Sequence, residues 1–227
     1  MSTPVASRAR GGPGGKAPRR RIPARWIAVA LAVALLAAIG FSTQYRSAES
    51  VAAAGPRRFD PAAYGERTYE NKIVPAVERR AVELPVLVNA MHADMEEAGK
   101  RYGVRQGNGP FTFAVKGTGT AGTVRSGLMH VTVPGLPPDT RVSLQVGPVI
   151  NGTALRDAVG FIGFGQFLDQ VEYADAATAL NDQMREKLLK NLDVSRLKGK
   201  KISFVGAFSF LTPSVVTITP VSIKEIP

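Results

Sequence analysis

The residues best equipped for chemistry lie in one run, Gln145-Val-Gly-Pro-Val-Ile-Asn151-Gly-Thr153-Ala-Leu-Arg156-Asp157, which continues through Phe164-Gly-Gln166 to Gln170-Val-Glu172-Tyr173 and on to Asn181. Arg156 can grip a carboxylate through two parallel N–H bonds. Gln145, Asn151, Thr153, Asp157, Gln170, Glu172, Tyr173 and Asn181 can exchange hydrogen bonds with hydroxyl groups. The chemistry they suit is recognition of a polar, hydroxyl-bearing ligand or of a partner surface. The same types also suit a structural polar network, in which Arg156 and Asp157 anchor a long buried loop. Asp169, Glu172 and Asp175, three residues apart, have the makings of paired acids for glycoside cleavage. Acids in the first turns of a helix are equally what its dipole favours.

Other chemistries lack their parts. Gly117-Thr-Gly119-Thr-Ala-Gly122 matches a dinucleotide fingerprint, yet a strand pattern follows it where a phosphate site needs a helix N-terminus. Glycines marking a bulge or bend in a β-ribbon account for it better. His92 and His130 are the two histidines; His92 lies near Asp94, Glu96 and Glu97 on a solvated helix face and His130 shares a strand face with Thr132, and a metal site would need carboxylates brought from elsewhere, so no metal or other cofactor is expected. A G-x-S-x-G elbow is missing, and the chain has no cysteine, hence no disulfide, zinc ribbon or thiol nucleophile.

These residues need a frame, and the chain reads as three preliminaries and a domain. Of the net charge of +11, Arg8, Arg10, Lys16, Arg19, Arg20, Arg21 and Arg25 supply seven units with no acid among them. Residues 1–25, rich in Gly, Pro and Arg, read as a disordered basic tail. The uncharged run Trp26–Phe41 is close to the roughly 20 residues that span a bilayer. Residues 26–43 are therefore expected to form a single transmembrane anchor or signal segment. The preceding arginines hold the N-terminus in the cytoplasm and put the rest outside. The modest charge of that remainder, together with export, argues against a nucleic-acid partner. Residues 44–58 form a polar linker.

Within 59–227, Asp60-Pro61 marks a helix start and opens a helical region, 60–103, that ends at Gly103. Val77, Ala81, Leu84, Val88, Met91, Met95, Ala98 and Tyr102 form an apolar stripe expected to pack on the chain's own β-domain. From Phe111 the period falls to two, and strands are predicted at 111–116, 128–133 and 141–149. A helix follows over roughly 164–192, with Phe167, Val171, Ala174, Met184 and Leu188 facing inward, then strands at 202–211 and 215–226. The class is α+β. Three strands, a helix and two strands is the order of an OB-fold-like small β-barrel, placed at 110–227.

Phe59-Asp-Pro61, Ala98-Gly-Lys-Arg-Tyr-Gly103, Gln145-Val-Gly-Pro-Val-Ile150, Gly152-Thr-Ala-Leu-Arg-Asp157, Gln170-Val-Glu-Tyr-Ala174 and Val205-Gly-Ala-Phe208 resemble the predicted periplasmic lipoproteins of domain of unknown function 2291. The resemblance covers most of the chain from Phe59. It implies an envelope protein often encoded beside sugar transporters of the ribose-uptake kind, without an assigned activity. Asn151 stands where the resemblance would lead one to expect a basic residue. Phe41 stands where a lipidated cysteine would have to be, so a peptide anchor replaces the lipid. The expectation is a membrane-anchored extracytoplasmic accessory module. It would bind a component of a carbohydrate ABC-type uptake system or a small sugar. The alternative is a glycan-processing envelope enzyme using Asp157 or Glu172.

Overall fold

The computed structural model describes Val33, residues 59–212 and residues 214–227. The chain divides into two units, Met1–Arg57 and Arg58–Pro227. The expected tail, the membrane segment apart from Val33, and the whole of the linker lie outside the described residues. Among the described residues no helix is long and apolar enough to cross a membrane.

Helix α1 (Pro61–Thr68) starts as its sequence dictates: Asp60 Oδ1 accepts the Ala63 amide at 3.0 Å, and Pro61 opens the first turn. A π-turn, Tyr69–Ile73, joins it to α2 (Val74–Arg80). Pro75, in the first turn of α2, has no N–H to give and its ring crowds the preceding turn; a locally wider helix relieves both. The chain then straightens into β1 (Val82–Glu83), re-enters helix as α3 (Leu84–Ala93) and α4 (Met95–Tyr102), and turns at Gly103 into β2 (Gly103–Arg105).

Five strands close the barrel: β3 (Phe111–Arg125), β4 (Leu128–Thr132), β5 (Arg141–Gln145), β6 (Lys201–Ser209) and β7 (Val215–Glu225). β3 pairs β4, β4 pairs β5, β5 pairs β7, β7 pairs β6, and β6 returns to β3. Only the β5–β7 pairing within this ring is parallel. This is the OB-fold order. β1 and β2 extend the sheet along β3. Between β5 and β6 lie the four-residue α5 (Ala154–Asp157) and the long α6 (Gln170–Lys187).

Two cores result. Phe113, Met129, Leu144, Phe204, Phe208 and Ile218 fill the barrel, and α3 adds Leu84, Leu87, Val88 and Met91 to the same core. The second core lies on the outer face of β3, β6 and β7, where Ala114, Ala207 and Val221 meet Tyr69, Leu155, Leu180 and Met184 from the helices. The expected half-buried start of β3 is therefore buried on both faces, because helices cover the side that alternation assigned to solvent. The apolar stripe of the helical region also divides: Val77 joins the second core, while Leu84, Val88, Met91 and Ala98 join the barrel. The break at β1 turns the chain between the two. Val171 and Ala174 are exposed, and Ala176, Ala177, Leu180 and Met184 take the inward positions of α6.

The glycine motif belongs to β3. Gly117 lies opposite Phe204, and a Cβ there would stand 2.9 Å from the Phe204 ring, while the register shift falls between Ala121 and Val124. The expected bulge is present; ahead of it Gly117 makes room for a barrel-filling aromatic ring, while Gly119 lets β3 approach the Thr132 carbonyl of β4.

Candidate functional site

β5 ends at Gln145, four residues short of the predicted strand, and the reason is the side chain of Gln145 itself. Its Nε2 donates to the Asn151 carbonyl (2.9 Å) and to Thr219 Oγ1 (2.8 Å), and its Oε1 accepts the Asn151 amide (2.8 Å). One buried amide thus substitutes for a ladder and folds residues 146–151 back over the barrel. Gly152 then adopts φ +90, a conformation suited to glycine. Asn181 of α6 donates to its carbonyl at 2.9 Å, and Arg185 donates to the Pro148 carbonyl at 3.0 Å.

α5 carries the second half of the network. Arg156 Nε donates to Asp157 Oδ1 at 2.7 Å, and its Nη1 donates to the Tyr173 carbonyl at 2.8 Å. The guanidinium also lies 3.5 Å from the centre of the Tyr173 ring. Thr153 Oγ1 donates to Asp157 Oδ2 at 2.6 Å, and Tyr173 Oη reaches Asp157 Oδ1 at 3.4 Å. Both Asp157 oxygens are engaged. Burial pushes the Tyr173 and Tyr64 hydroxyls above their ordinary ionisation range, against the opposing pull of the Arg156 charge.

Of the nine residues that the sequence singles out, the structure brings together Gln145 and Asn151, and separately Thr153, Arg156, Asp157 and Tyr173, with Asn181 bracing the loop between. Gln170 and Glu172 do something else. Gln170 is exposed at the start of α6. Asp169 Oδ1 caps that helix by accepting the amides of Val171 and Glu172, and Glu172 Oε2 accepts the Leu168 amide at 2.9 Å. Asp169 and Glu172 together cap the helix in a variant of the capping box, with Glu172 reaching the residue before the N-cap rather than Asp169 itself.

A cleft of about 360 Å³ opens beside the folded-back loop. Gln145, Asn151, Thr153, Ser209, Thr217 and Thr219 supply its polar wall, and Val149, Leu211 and Val215 its apolar rim. Among the described residues none of the side chains lining it is charged. A smaller hollow of about 260 Å³ shares Thr153 and Ser209 and includes Arg156, Asp157 and Tyr173 in its wall. Ser209, Thr217 and Thr219 do not stand out in the sequence. The signal was available: in Val216-Thr-Ile218-Thr219 the threonines alternate with core residues and so share the outer face with Gln145.

The family described as predicted periplasmic lipoprotein, domain of unknown function 2291, matches residues 29–224. The chain belongs to this family. Within the domain of unknown function 2291, the present chain departs from the lipoprotein description in having no cysteine to carry a lipid. No curated protein matches the chain. Among solved structures, an OB-fold protein from Thermotoga maritima is similar, with 18% sequence identity and a TM-score of 0.62. The likeness covers 74% of this chain and 99% of that one. It establishes the fold, in agreement with the strand order above.

Proposed function

We propose that this protein is a non-catalytic extracytoplasmic binding module, held at the membrane by residues 26–43 with the N-terminus in the cytoplasm. Its cleft takes a small, neutral, hydroxyl-rich ligand of the monosaccharide class, in the service of carbohydrate uptake. One observation carries the reading: a cleft whose polar wall consists of hydroxyls and carboxamides, without a charged side chain. Such a wall exchanges hydrogen bonds with sugar hydroxyls and gives no charge to a phosphate or carboxylate. Its volume of about 360 Å³ lies at the small end of ligand sites, which run from about 300 to 1,000 Å³.

The glycan-enzyme alternative is weaker on the same geometry. Asp157 is committed to Arg156 and Thr153, and Glu172 to the α6 cap. A general acid needs a proton it can present to a substrate, and neither carboxylate is placed to do so without dismantling its own support. Binding of a transporter component through the same face remains within the proposal, since Val149 and Leu211 offer an apolar rim.

The test is a thermal-melting screen of residues 58–227 against pentoses, hexoses, polyols and sugar phosphates, with Thr217→Val alongside. This substitution keeps the β-branched shape and removes one hydroxyl from the cleft. The expected result is a rise in Tm with one neutral sugar, reduced in the variant. A response confined to sugar phosphates would overturn the reading.

A further inference from the structure

Four large apolar side chains stand in solvent along one stretch, 161–171: Phe161, Phe164, Leu168 and Val171, the last two 73% and 65% exposed. Single exposed apolar residues are ordinary, but four large ones within residues 161–171 point to a contact surface. Local bonds hold this one in place. Gln166 Nε2 donates to the Phe161 carbonyl at 2.6 Å, Gln106 Nε2 donates to the Ile162 carbonyl at 3.1 Å, and the capping bonds of Asp169 fix the start of α6. The exposure is therefore built into the loop.

Behind the patch lies an aromatic cluster. Phe167 sits 5.4 Å from Phe59, 5.8 Å from Tyr64 and 5.4 Å from Tyr173, and Phe164 meets Tyr173 edge-on at 5.8 Å. Rings with one polar tip, beside fully apolar ones, suit the boundary between water and lipid. Phe59 is also where the chain arrives from the apolar run Trp26–Phe41. The intervening 42–58 would reach no more than about 60 Å even fully extended, and the patch, through Phe167, adjoins Phe59, the point at which that segment enters the domain.

We propose that residues 161–171 form a membrane-contacting surface that seats the domain on the bilayer, with Phe161, Phe164 and Leu168 entering the headgroup region. The inference rests on the reading of 26–43 as the anchor. The neighbouring acids Asp60, Asp169, Glu172 and Asp175 fit a zwitterionic lipid surface better than an anionic one.

A cysteine-free chain allows a direct test. Full-length protein carrying Leu168→Cys or, as control, Lys198→Cys is labelled with an environment-sensitive fluorophore and reconstituted into phosphatidylcholine vesicles. Thr112, near the start of β3, shares a hollow with Tyr173, which touches Phe164 and Phe167; Lys198 adjoins the other end of that strand, where the Gly199 amide donates to the Ala121 carbonyl, nine residues from Thr112 and so up to about 30 Å along the strand. The expected result is flotation with the vesicles, with the label at 168 quenched severalfold more by nitroxide lipid than by iodide and the label at 198 showing the reverse. Adding Phe161→Ser and Phe164→Ser to the Leu168→Cys protein should abolish the lipid quenching without preventing flotation. Flotation with the label at 168 open to iodide would overturn this proposal alone. Protection from both quenchers would mean that a second copy covers the patch and would also overturn it. Failure to float would remove the anchor reading and this inference with it.

Discussion

Arg156 shows how a residue that looks chemical can be structural. Its Nε and Nη1 bind Asp157 and the Tyr173 carbonyl, and its flat face covers the Tyr173 ring, all in a nearly dry setting. Removing one partner of a buried pair leaves an uncompensated charge, so Arg156→Ala should cost about 3–5 kcal/mol of stability in urea denaturation. Tyr69 is the opposite case: its hydroxyl is buried with no hydrogen-bond partner among the described residues. An orphaned buried hydroxyl costs about 1–3 kcal/mol, and Tyr69→Phe should therefore raise stability, by about 1 kcal/mol. The pH dependence carries a further sign. Burial pushes the Tyr69 hydroxyl far above its ordinary value of 10.0, with Glu70 adding to the shift. Below pH 10 the neutral form prevails folded and unfolded alike, and its full contribution is present. Above pH 10 the unfolded chain ionises first, so stability falls as pH rises toward the folded value. Tyr69→Phe should flatten that alkaline decline in melting curves between pH 9 and pH 11.

The elements are placed by close approach as much as by apolar pattern. α1 and α6 touch at Gly65, where a Cβ would stand 2.8 Å from the Ala179 carbonyl oxygen. Alanine in a helix interior is ordinarily better than glycine by about 1 kcal/mol. Here the clash is with backbone, which cannot rotate away, and overpacking costs about 1–3 kcal/mol. Gly65→Ala should thus lower stability on balance, as a fall in urea midpoint at unchanged m-value. The helix start at Asp60-Pro61 and the positions of the five barrel strands were legible in the sequence because each depends on local chemistry: a cap, a fixed φ, a period of two; β3, however, continues through the glycines to Arg125, past the predicted end at 116. The end of β5 was not. It depends on Gln145 reaching Thr219 across 74 positions of sequence, a contact without a local signature. The facing of α6 was misread for a similar reason. Half of its buried residues are alanine, which lets it pack close to its neighbours, and alanine carries a weak apolar signal.

At the scale of the molecule, the closed OB-like barrel presents one surface on which loop, strand and helix converge. The residues that suggest catalysis serve to hold that surface together, while the cleft itself is walled by hydroxyls and amides that attract little notice in the sequence. Family membership agrees with an envelope setting and leaves the ligand open. The most direct test of the binding-module account is amide chemical-shift mapping of residues 58–227 titrated with pooled neutral sugars, with the sugars assayed for cleavage or modification afterwards. The account predicts shifts concentrated at Gln145, Asn151–Ala154, Thr217 and Thr219, with every sugar recovered unchanged. Shifts centred on Asp157 and Glu172, accompanied by product, would contradict it.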